Sequence, residues 1–149
     1  MTDPARAARA VVAAANAGVL STLTAAGDPW GALVAYGLVG GGAPVLLVSA
    51  LAEHGRNLAR DPRASLVVTG PLGADPAAAE RVTLAGRVHT PADADAARAA
   101  FLAAVPGAAV YAGFADFTLH VLAVERVRWV GGPGRMGSAD GAAYAAAAP

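Results

Sequence analysis

The spacing of apolar and polar positions changes at a few places along the chain, and those changes predict its elements. Asp3 followed by Pro4 offers an N-cap with proline at the first helical position, and Gly18 stands where a helix would stop, so residues 4–17 are predicted helical. Most apolar positions of that helix are alanine, with Val11 and Val12 the bulky ones, so it packs closely but needs a larger sheet to pack on. From Val19 the pattern shifts to short runs of Val, Leu and Thr separated by Gly, Pro and Asp, as in strands joined by tight turns. Runs 19–24, 30–39 and 44–49, parted by AAGDP and GGGA, predict a three-stranded antiparallel meander. Residues 49–60, SALAEHGRNLAR, predict a short helix despite Gly55, ended by Asp61-Pro62 because proline keeps its predecessor out of helical geometry.

Further strands are predicted at 64–69 and 81–89, then a helix from Thr90 to about Ala104, broken by Pro106-Gly107, and closing strands at 117–124 and 126–130. After Gly131 the chain is Gly-rich and then Ala-rich, and it is expected to be loose in part. Evenly spaced strands with three short helices fit a small antiparallel barrel better than a parallel sheet. The expectation is a mainly β (α+β) fold, a six-stranded antiparallel barrel over residues 1–137 followed by an Ala-rich tail at 138–149.

Composition narrows the functions. Apolar residues make up 56% of the chain, yet so many are alanine that no stretch approaches the ~18 strongly apolar residues a membrane span needs. The N-terminus has Asp3 where a signal peptide carries a basic flank, so a cytoplasmic protein is expected, away from membranes. Eleven basic residues, all arginine, balance eleven acidic ones, which leaves no surplus field for a nucleic-acid backbone. The absence of cysteine excludes disulfides, thiolate metal sites and a cysteine nucleophile. His54, His89 and His120 are far apart and lack partners at ligand spacing, so no metal centre is indicated. No G-x-S-x-G elbow occurs, and GGGA and GGPG lack the strand–glycine–helix order of a dinucleotide fold, so both read as hairpin turns.

The most informative stretch is VLLVSALAEHGRNLARDPRASLVV, residues 45–68. A strand delivers Ser49 to the start of a helix, and His54, Arg56 and Asn57 follow within two turns. A hydroxyl, an imidazole, a guanidinium, a carboxamide and helix-end amides converging there would cradle a phosphate. The residues fit equally a Ser49 that only caps the helix, with His54 and Arg56 solvated.

The same stretch, with DPWGALVAYGL upstream and FADFTLHVLAVERVRWVGGPGR downstream, resembles the pyridoxamine 5'-phosphate oxidase-like family of FMN-binding split barrels. Within it, the branch that includes haem-utilisation oxygenases is the most similar. The likeness runs from about residue 8 to residue 137. It implies a six-stranded split barrel and a homodimer, with two flavin sites between the subunits. Gly31, Ala32, Leu33 and Val34 would run along the flavin, Ser49, His54, Arg56 and Asn57 would receive the FMN phosphate, and Trp129 and Arg135 would approach the cofactor or haem across the dimer. The implied activity is an FMN-dependent oxidoreductase acting on a small-molecule substrate, the flavin supplying the chemistry. Two alternatives stand beside it. One is a haem-binding or haem-degrading protein with His120 as axial ligand and Arg135 on a propionate; the other is a cofactor-free binding module. Two positions depart from the family pattern: Ala32 stands where many relatives carry serine, and Pro133 where they carry an aromatic ring.

Overall fold

The computed structural model describes residues 2–149. Asp3 caps helix α1 (Pro4–Ala13), its carboxylate accepting the Ala5 N–H at 3.0 Å. The helix stops short of residue 17 because β1 (Ala17–Leu23) is by then paired in the sheet. There follow β2 (Pro29–Ala35), β3 (Gly37–Val39), β4 (Ala43–Ser49), α2 (Glu53–Arg60), β5 (Arg63–Thr69), β6 (Arg81–His89), α3 (Ala94–Ala104), β7 (Phe117–Gly132), β8 (Arg135–Asp140) and α4 (Gly141–Ala146). The strands form one antiparallel sheet in the order β2-β1-β5-β6-β7-β4-β3, with β8 added on β7.

The fold is the expected mainly-β barrel class, but it has eight strands rather than six, and three local reasons, one of them a merger, turn the seven predicted runs into those eight. The 30–39 run is cut at Tyr36, whose ring is buried and whose hydroxyl donates to the Val12 carbonyl at 2.6 Å. Runs 117–124 and 126–130 are one strand, joined through a bulge where Gly86 faces Val124 and Ala85 faces Arg126, leaving Glu125 as the extra residue. Gly86 permits this, because a Cβ there would run into the Ala123 carbonyl. The third reason lies in the tail. Residues expected to be loose in part instead supply the end of β8 and helix α4, capped by Asp140. Tyr144 is buried in the core with its hydroxyl on the Gly42 carbonyl at 2.7 Å, and Arg9 Nη1 donates to the Tyr144 and Ala147 carbonyls.

Alternation along β1, β5, β6 and the second half of β7 sends every second residue inward, so Leu20, Leu66, Leu84, Val127 and Trp129 pack with α1 in the barrel interior. A second cluster, Val45, Val121, Ala97 and Phe101, joins α3 to the outer side of β4 and β7. Both faces of β4 are therefore covered near that point, while the outer face of β1, β5 and β6 is not covered by any helix. Among the described residues no helix is long and apolar enough to cross a membrane.

Candidate functional site

The chain passes from β2 through Tyr36 into β3, which pairs with the start of β4. Beyond Tyr36 the two ends of the sheet diverge, and α2 fills the split, touching β1, β2 and β4. Two residues hold it there. Asn57 is buried, its Nδ2 donating to Thr22 Oγ1 at 3.0 Å while its Oδ1 accepts from Arg60 at 2.8 Å. Gly55 lets the first turn of the helix rest on the end of β4, since a methyl there would collide with the Ser49 carbonyl. This explains a glycine inside a helix, where it is otherwise unfavourable.

A cleft of about 350 Å³ opens at this junction, with Leu33 and Val34 on one wall, Leu47 and Phe117 on the other, and Ser49 and His54 at the start of α2. Its lining is chiefly apolar, with Tyr111 and Phe117 forming an aromatic pair whose centroids lie 5.1 Å apart. The Ser49 hydroxyl accepts the Leu51 N–H at 3.1 Å and donates its proton to Asp116 Oδ2 at 2.7 Å. Partial burial lowers the His54 pKa from its ordinary value, so its imidazole is neutral at pH 7.

Four of the residues singled out in the sequence, Leu33, Val34, Ser49 and His54, thus line one cleft. Gly31 and Ala32 precede them on β2, and Ala32 pairs with Leu20. Arg56 lies on the exposed side of α2 with Nη1 on the Leu51 carbonyl at 2.6 Å. Asn57 turns into the protein, with both ends of its amide engaged. Trp129 and Arg135 lie elsewhere in the chain. Trp129 is twelve residues beyond Phe117 along β7, on the order of 40 Å of extended strand. It is 2% exposed, donates from Nε1 to Glu80 at 2.9 Å, and carries the Arg135 guanidinium 5.5 Å from its ring. His120 pairs with Leu46 across the sheet, and its Nε2 is engaged with Thr118 Oγ1 at 2.8 Å. Burial lowers its pKa as well. Asp116 was not singled out from sequence: an isolated aspartate in a turn carries no local sign that Ser49, 67 positions away, will meet it.

An antiparallel barrel split by a helix that presents a cleft to the outer sheet face defines the class of protein. The family model described as pyridoxamine 5'-phosphate oxidase matches residues 5–131, and the chain belongs to that family. Its backbone superposes on the structure of a heme-binding protein from Mycobacterium smegmatis with a TM-score of 0.93 and 55% identity, covering 99% of this chain and 62% of that one. It is also 33% identical over 134 residues to the chloroplastic heme oxygenase HOZ of Arabidopsis thaliana, covering 87% of this chain and 41% of that protein. The chain therefore spans under two thirds of the length of either relative. HutZ, the heme storage protein of Vibrio cholerae, shares the fold at 18% identity with a TM-score of 0.63, over 78% of this chain and 87% of that one.

Proposed function

We propose that the chain binds haem, the porphyrin entering the cleft beside His54 and being completed on its open side by a second copy. The observation that carries this is the 55% identity, along 99% of the chain, to a heme-binding protein. The residues present fit the group. The cleft lining is apolar, as a porphyrin face requires, and a neutral imidazole is the form that ligates iron. At about 350 Å³ the cleft is near the small end of ligand pockets, roughly 300–1,000 Å³, so a porphyrin extends out of it along the sheet. The uncovered flank carries apolar side chains suited to a homodimer contact, Leu33 at 79% and Val19 at 44% exposure. Haem, when bound, supplies an iron for ligand or oxygen chemistry; this chain supplies the imidazole, the apolar walls and the exclusion of water.

The phosphate cradle expected for FMN is reduced here. Ser49 gives its proton to Asp116, whose carboxylate would oppose a phosphate, Asn57 is engaged inward, and Ala32 offers no hydroxyl. An FMN-dependent oxidoreductase stays the second reading because the matching family model is that of an oxidase, and flavin fluorescence titration tests it. The test of the first is titration of the purified protein with haemin. A shifted Soret band that survives desalting supports haem binding, and its bleaching on addition of ascorbate under air would make the protein an oxygenase. A Soret band identical to free haemin overturns the reading.

A further inference from the structure

The start of α2 has the parts of an anion cradle, and one carboxylate closes it. Ala52 stands at the N-cap and caps nothing with its side chain, so the first-turn amides have no partner inside the helix. Ser49, three residues earlier at the end of β4, is the hydroxyl that would join them around a phosphate. That hydroxyl has one proton, and the proton goes to Asp116 Oδ2 at 2.7 Å, while the Leu51 N–H is directed to the same Ser49 oxygen at 3.1 Å. The backbone fixes Asp116 in this place. Its carbonyl accepts the Ala50 N–H at 2.7 Å, and the next residue, Phe117, is the cross-strand partner of Ser49.

The consequence for a ligand follows from distance. A phosphate oxygen within hydrogen-bond reach of Ser49 Oγ would lie no more than about 5.5 Å from Asp116 Oδ2. Two anionic oxygens would then compete for one proton, in a cleft whose walls are chiefly apolar and where like charges are poorly screened. The basic side chains nearby do not offset this. His54 lines the cleft as a neutral imidazole, and Arg56 lies on the exposed side of α2 with Nη1 on the Leu51 carbonyl.

We propose that Asp116 is the specificity-determining residue of this cleft, excluding ligands that present a phosphate to Ser49, FMN among them, and admitting those whose end at α2 is uncharged or carries a hydrogen-bond donor. Like the haem reading, the assignment takes the cleft beside His54 as the ligand site. A porphyrin meets the condition with its carboxylate-free edge.

The test compares FMN with riboflavin, which lacks the phosphate, by flavin fluorescence titration of the wild type, Asp116→Asn and Glu53→Gln. Asparagine keeps the shape of the side chain and removes its charge, and its amide can donate to Ser49, which releases the hydroxyl proton to a phosphate. Wild type should bind FMN no more tightly than riboflavin. Asp116→Asn should bind FMN about tenfold or more tightly than riboflavin, the gain of a charge-assisted hydrogen bond, and adding Ser49→Ala should remove that preference. Glu53, the acid in the first turn of α2, does not line the cleft, so Glu53→Gln should behave as wild type. Circular dichroism melting checks the fold, and Asp116→Ser, also uncharged, gives the same comparison where the asparagine variant melts early. A wild type that already prefers FMN overturns the assignment, as does a folded, uncharged variant that gains no preference. An equal gain in Glu53→Gln overturns it too, giving the effect to the general field of the acids instead of the Ser49 contact. A wild type that shifts no Soret band with haemin removes the haem reading alone, since the flavin comparison is read without haem.

Discussion

At the scale of single residues the cleft is decided by which polar atoms remain free. Ser49 and His54 share one turn of chain, yet the hydroxyl is engaged by Asp116 and Leu51 while the imidazole lines an apolar wall. His54→Ala is expected to abolish the Soret shift, and His120→Ala to leave it unchanged, because His120 is held by Thr118 and lies outside the cleft lining. Binding should also follow pH in a stated direction. The folded His54 pKa lies below its ordinary value of 6.5, so the neutral imidazole, the form that would ligate haem iron, persists at and above that pH and is lost as acid protonates it below. Spectra taken from pH 8 to pH 5 check this: haem affinity constant down to about pH 6.5 and falling beneath it is the expected course. The same shift means the unfolded chain takes up the proton more readily, so acidification through this range also subtracts stability. Ser49 and His54 were legible because the segment that carries them is contiguous. Asp116 was not, because its part in the site depends on a sheet pairing between Ser49 and Phe117 that no local pattern announces.

At the scale of elements, two helices with few bulky residues are held by single polar anchors. Helix α2 depends on Asn57, whose amide meets Thr22, itself almost fully buried. Asn57→Ala leaves that hydroxyl without its donor in a dry site and should lower stability by about 1–3 kcal/mol. Urea unfolding measures the loss, and a weaker Soret shift should accompany it, since the helix carrying His54 is released from the split. Helix α4 depends on Tyr144, and Tyr144→Ala should cost about 3–5 kcal/mol, the range for emptying a large aromatic site. A chain with unchanged melting would show the tail to be dispensable. Alternation and turn residues made most strands readable, since an outer face of Ser, Thr and Arg against an inner face of Leu and Val has a clean period of two. The tail was unreadable for the opposite reason: alanine fits any environment, and the residue that buries α4 in the core, Tyr144, acts through the distant carbonyl of Gly42. The bulge at Glu125 likewise looked like a strand boundary because the inward–outward alternation changes phase there.

At the scale of the whole molecule, the outer face of β1, β2, β5 and β6 has the features of a surface meant to be covered. Toward β1 and β2 its side chains are small or apolar, and Leu33 and Val19 are cross-strand partners, both exposed. The chain has a formal net charge of zero, so two copies approach without overall repulsion. A symmetric contact would bury two Leu33 side chains, one from each copy, at about 1.5–3 kcal/mol for each side chain fully covered. If two copies pair through this face, Leu33→Glu should put two carboxylates into an apolar contact and leave the chain monomeric where the wild type is dimeric, read by light scattering at micromolar concentration. Leu33 also lines the cleft, so loss of haem binding in that variant alone does not separate the two roles. Val19→Glu does, because Val19 lies on the same face but outside the cleft lining. If the porphyrin is enclosed by two copies, Val19→Glu should lose the dimer and haem affinity together; a monomeric variant that binds haem as tightly as wild type would show that one copy suffices.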